Sequence, residues 1–241
     1  MPFLNDLYKK HIGADVYIVG TGSTLRLFPL DFLKDKITIG LNQAYRHFDP
    51  TYSLTVHPYL IPIDRKKWNT KWLTKIKLND ESWDQHVAAN NDKHFYLFKN
   101  GIPTNFDWLN PSKRLRNALY VGFGIHTAAM HLGCLMGAKT LYLLGCDMGS
   151  LGNQHHAHEQ HIETHNYKIN DVYKEYFVYA TKTRELLQKY YRVTILNLSH
   201  SFGIPHYAEL EFKHAGLEPL PIPKIIEKQK RLIPITTDFI P

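Results

Sequence analysis

Residues 148–167 read "MGSLGNQHHAHEQHIETHNY", which sets His155, His156, His158, His161 and His165 beside Glu159 and Glu163 within eleven positions. Imidazole titrates near neutrality, so such a side chain could take a proton from a hydroxyl or, once charged, offset a departing phosphate. His155, His156 and His158 are the catalytic candidates. Metal binding is a rival reading, because His158, His161 and His165 recur at about one helical turn. The loop lacks the His-Glu-x-x-His signature, and the expectation is that no metal is held. A solvated lid that happens to be rich in histidine is the third reading.

A second chemical feature is "VYIVGTGSTLRLF", residues 16–28. An apolar strand runs into Gly20, Thr21, Gly22 and Ser23, and backbone N–H groups in such a turn can face a phosphate. The third glycine of a dinucleotide fingerprint is missing, since Leu25 stands in its place, and the next strand ends on Asn42 rather than on an acid. No Gly-Lys-Ser or Gly-Lys-Thr follows, which argues against a Walker-type loop. A purely structural turn is the alternative.

Other candidates follow strand-like runs. Asn42 and Gln43 offer donors and acceptors to a base or a sugar hydroxyl, or simply make a turn. Asp147 lacks the second carboxylate of an Asp-x-Asp pair and would orient a hydroxyl or cap a loop. His126 and Thr127 open a helical pattern where an anion could sit, with helix capping as the rival. His57 is a ligand contact or a satisfied core histidine. Ser199, His200 and Ser201 follow the last strand, where a base or ribose could bind, although turn-making residues are common there.

These residues need elements to hold them. Short apolar runs without polar alternation occur at "DVYIVG", "KITIGLN", "SLTVHP", "HFYLFKN", "TLYLLGCD" and "RVTILNLS", as in a parallel sheet covered on both faces. Helical patterns span 124–137 and 171–191. The expected fold is therefore α/β, a doubly wound, mostly parallel, Rossmann-like sheet in one domain over 1–217, with a lid at about 148–170. In such a fold ligands lie beyond the carboxyl ends of the strands. Prolines in 218–241 suggest an extended tail.

Composition narrows the partners. The chain has 241 residues, 44% hydrophobic and 21% charged, with net charge +7, which suits a globular protein with anionic partners. No apolar run approaches the ~20 residues of a membrane span. "MPFLNDLYKKHIG" carries charge where a signal peptide would be apolar, and Cys134 and Cys146 sit in core-like segments. A cytoplasmic protein is expected, possible as a homo-oligomer or at the inner face of a membrane. "DRKKWNTKWLTKIK", 64–77, spaces Trp68, Trp72 and Ile76 as one helix face among lysines. That stretch could meet a nucleic-acid or lipid-linked acceptor, or be a core helix with a wet side.

Taken together, "IVGTGSTL", "GLNQAY", "HLGCLMGAKTLYLLGCDM" and "YYRVTILNLSHSFGI" resemble, block by block, the bacterial sialyltransferases of glycosyltransferase family forty-two and the related Maf-type flagellin glycosyltransferase domain. The resemblance implies a metal-independent glycosyltransferase, with a nucleotide-sugar donor such as CMP-sialic acid over the glycine turn and Asn42-Gln43. It also implies sugar transfer with inversion to a glycan or other hydroxyl acceptor. The chain has Thr21 where that group has asparagine and Ser23 where it has proline, and no histidine between Asp171 and Glu175, where the group's base would fall. Alternatives are an ATP-dependent enzyme like the pterin diphosphokinases, a phage-type DNA base glycosyltransferase and a non-catalytic nucleotide-binding module.

Overall fold

The structure, a computed structural model, describes residues 4–22, 25, 28, 30–62, 64, 67–75, 95–100, 105–113, 117–146 and 169–198. Eight strands form one sheet: β1 Asp15–Val19, β2 Ile37–Leu41, β3 Tyr52–Thr55, β4 Lys71–Lys75, β5 Phe95–Asn100, β6 Ala118–Leu119, β7 Thr140–Leu144 and β8 Thr194–Asn197. Their order is β6-β5-β4-β3-β2-β1-β7-β8, and every pairing is parallel. The chain thus walks outward from β1 to β6, returns across the sheet, and continues on the other side of β1 as β7 and β8.

Each central strand is buried on both faces, so the alternation divides apolar residues between two cores. Val16 and Ile18 of β1, with Leu141 and Leu143 of β7, meet the helical side; Tyr17, Val19, Tyr142 and Leu144 face the opposite core with Leu25, Phe28 and Leu33. The two α-helices among the described residues, α1 Ile125–Leu135 and α2 Ile169–Tyr191, lie on the first face. Helix α1 buries all of its residues but Ile125 because it is enclosed between the sheet and α2. In α2, Ala180, Thr183 and Leu187 are buried at helical spacing while Lys182, Glu185 and Gln188 are exposed. Among the described residues no helix is long and apolar enough to cross a membrane.

The stretch 64–77 corrects the helical reading. Lys71–Lys75 is strand β4, and Trp72 is buried with Tyr45, Ile61 and Phe95, with Trp68 packed against them. The two tryptophans meet the Tyr45 ring edge-on at 5.2 and 5.3 Å, so Trp72 is closed to a stacking base; Ile76 lies outside the described residues. Lys67 pairs with Asp64 at 2.8 Å on the surface. Cys134 and Cys146 are both free and buried, and burial pushes the Cys134 thiol pKa upward.

Candidate functional site

Strand order reverses between β1 and β7, which in an open parallel sheet places the ligand crevice beyond their carboxyl ends. Here the chain leaving β1 stays on β7: the Gly20 amide donates to the Leu144 carbonyl and the Gly22 amide to that of Gly145, both at 2.7 Å. Gly145 turns through φ +58, and a Cβ at Gly20 would overlap its carbonyl oxygen. The glycine repeat thus serves backbone-to-backbone contact, a correction to the reading in which these two amides face a phosphate. Thr21 is buried beside them.

One strand over, the polar groups are used differently. Asn42 adopts φ +50, a left-handed conformation that asparagine tolerates better than most residues. This turn lets its amide reach the Leu54 carbonyl at 2.9 Å. Its Oδ1 accepts from the Thr55 hydroxyl at 3.0 Å, while that hydroxyl accepts from the His57 amide at 3.0 Å. The Thr55 hydroxyl also lies 3.3 Å from the His57 carbonyl, so its proton has two acceptors in reach, of which Asn42 Oδ1 is the nearer. The Asn42 Nδ2 group then has no partner among the described residues, and the half-buried Gln43 side chain makes no capping bond to the turn it precedes. The amide donors of both carboxamides are unspent among the described residues.

His57 is exposed and its ring leans on Tyr59 at 5.4 Å. Partial burial, then Lys75, lowers its pKa. It is therefore a rim residue and not a core histidine.

The start of α1 reaches the same end of the sheet. The helix packs on β1, β2 and β3, and its other end is tied to residues 9–13 and leads into the start of β7, so its first turn stands over the strand exits. The amides of Ile125 and His126 precede the first helical bond and have no partner among the described residues. Such amides attract anions. The His126 ring lies across Gly124, where a Cβ would strike it, and its Nε2 is buried with no partner. Burial brings the ring's pKa down to about 4, so it is neutral near pH 7. Thr127 is structural: its hydroxyl accepts from Gly122 at 2.8 Å and donates to the Gly124 carbonyl at 2.7 Å.

Ser23, Asp147, His155, His156, His158, Ser199, His200 and Ser201 lie outside the described residues, as does the expected lid up to residue 168. Sequence reasoning missed Thr55 and Gly145. Thr55 could have been noticed as a hydroxyl at the end of a buried strand, two residues before His57. It also missed His131, fully buried, whose Nδ1 accepts from the Tyr120 amide at 3.0 Å and which pins β6 to α1.

No protein-family model matches the chain, and no curated protein does. Among solved structures it is similar to the monofunctional alpha-2,3-sialyltransferase Cst-I from Campylobacter jejuni, at 15% identity and TM-score 0.49 over 87% of this chain and 81% of that one. It is also similar to the sialyltransferase CstII from Campylobacter jejuni in complex with the substrate analogue CMP-3FNeuAc, at 13% identity and TM-score 0.45 over 86% of each chain. A CST-II structure with a trisaccharide acceptor and CMP gives 14% identity and TM-score 0.43, again over 86% of each.

Proposed function

We propose that the chain is a nucleotide-sugar-dependent glycosyltransferase, transferring a sugar with inversion to a glycan or other hydroxyl acceptor. The observation that carries this reading is the presence, at one end of a parallel sheet, of the Asn42 and Gln43 amide donors and of the α1-start amides, none of which has a partner among the described residues. Carboxamides suit a base or ribose, and helix-start amides suit a phosphate. The sequence resemblance to family forty-two points to the same donor class, CMP-linked in its best-known members.

In this reading the close backbone contact of Gly20 and Gly22 with Leu144 and Gly145 fixes the β1 and β7 exits beside the donor. Asn42 and Gln43 hold the nucleoside, with Thr21, Ser23, His57, Asp147 and Ser199 to Ser201 around it, while Thr127 shapes the turn from which the Ile125 and His126 amides reach the phosphate. A histidine among His155, His156 and His158 takes the acceptor's proton as its oxygen attacks the anomeric carbon. The bond from that carbon to the nucleotide phosphate breaks, and its electron pair leaves with the phosphate. The departing charge is met by preorganised amides and histidine, without a metal ion.

The test is release of free nucleotide from CMP-, UDP- and GDP-sugars, with and without acceptor glycans. Acceptor-dependent release by the wild type, lost when His155, His156 and His158 are all replaced by Ala in a protein that still folds, is the expected result. Full turnover by that variant would remove the loop from the mechanism, and no release from any donor would remove the activity.

A further inference from the structure

All strands are parallel, so all begin at one rim, opposite the candidate site. Lys36 precedes β2, Lys71 opens β4, Lys139 precedes β7 and Arg192 lies just before β8. The segment 9–13 crosses the same rim along the end of α1. Its Lys9, His11 and Gly13 amides donate to the carbonyls of Leu135, Met136 and Gly137 at 2.8, 2.7 and 2.9 Å, which satisfies the last helical carbonyl and the two after it and holds the segment in place. On this anchored segment Tyr8 is 45% and Ile12 72% exposed, with Lys9 and Lys10 exposed between them.

Lys10 and Lys71 lie close to one another. Lys9, Lys10, Lys36, Lys71 and Lys139 form no ion pair among the described residues. The acids near this rim include Asp6, whose charge acts on Tyr96, besides Asp15, Asp35 and Asp49, against the cations Lys9, Lys10, Lys36, Lys71, Lys139 and Arg192. His11 Nε2 meets the Tyr52 hydroxyl at 2.8 Å, and Lys71 lies over the Tyr52 ring at 5.6 Å. Burial first, then nearby Lys10, lowers the pKa of both His11 and Lys71. Like charges held this close are relieved by an anion.

We infer that this rim docks on an anionic lipid bilayer, with Lys9, Lys10 and Lys71 at the headgroup phosphates and Tyr8 and Ile12 in the interface. A nucleic acid would satisfy the lysines and leave Ile12 in water; a bilayer takes both kinds of group, and tyrosine favours its interfacial layer. The inference is independent of the proposed activity. It has a geometric consequence: strands of five residues span roughly 17 Å, so the candidate site would open away from the membrane. An acceptor would then be reached at that distance from the lipid surface.

The test is co-sedimentation of the full chain with phosphatidylcholine vesicles, with and without phosphatidylglycerol. Binding should require phosphatidylglycerol and weaken with salt. Lys9→Glu with Lys10→Glu should reduce it more than tenfold, and Ile12→Ser by a smaller factor that salt does not change. Lys113→Gln, whose ammonium is paired with Asp107, should bind as wild type. Melting temperatures report folding; should the double variant not fold, Lys10→Gln and Ile12→Ser singly carry the test. Three results would overturn the inference: no preference for phosphatidylglycerol, undiminished binding by the folded variants, or loss of nucleic-acid binding in those variants with none to vesicles.

Discussion

At the exit of β1 the amides of Gly20 and Gly22 are bonded to β7, whereas at the exit of β2 the Asn42 and Gln43 side chains keep donors in hand. Both exits have turn residues of the kind that bind nucleotides. In a parallel sheet, however, backbone groups beside a neighbouring strand are consumed by continuing the pairing, and what stays free is the side chain standing off the ladder. The β1 exit is therefore architecture, and the proposed function makes the β2 exit the recognition side.

The largest effect is expected at the start of α1, which the proposed function groups with the β2 exit. His126 has a folded pKa near 4 against an ordinary 6.5. The stability it lends is therefore full above pH 6.5 and is lost as pH falls toward 4, on the order of 3 kcal/mol. Denaturant unfolding across that range should show a flatter pH dependence for His126→Gln than for wild type; parallel curves would mean the ring is not kept neutral by burial. Next, Gly20→Ala forces a methyl onto the Gly145 carbonyl and should cost about 1–3 kcal/mol, read as a lower melting temperature. An unchanged melting point would break the architectural half of the comparison.

Asn42→Gly reverses the logic. Glycine accepts φ +50 without strain, which offsets the lost bond to Thr55, so unfolding should be nearly unchanged while nucleotide affinity falls about tenfold, ~1.4 kcal/mol. The smallest effect is expected from Thr55→Val, which leaves Asn42 unoriented: about 1 kcal/mol in stability and a several-fold loss of nucleotide affinity, both measurable by calorimetry.

The central strands and both helices were legible because a strand buried on two faces is an apolar run and each helix has its own period. Two strands were not. In β4, Trp68 and Trp72 stand four apart and imitate a helix face, while lysines at both ends conceal the Trp72-Leu73-Thr74 strand core. Strand β6 has two residues, too few for any pattern. At the site, Asn42 and Gln43 were legible by type and place. The role of Thr55 depends on a neighbour in another strand, and the spending of the Gly20 and Gly22 amides depends on β7, 120 residues further on; neither leaves a local trace.

The central claim, that a nucleoside phosphate is held by carboxamides at the β2 exit, is tested most directly by thermal stabilisation of wild type and Asn42→Gly with CMP, UDP, GDP and ATP. A ligand that binds only the folded chain raises its melting temperature. The account predicts that at least one nucleotide does so for wild type and that Asn42→Gly loses most of that rise while melting normally alone. An equal rise in the variant, or none in the wild type, would contradict it.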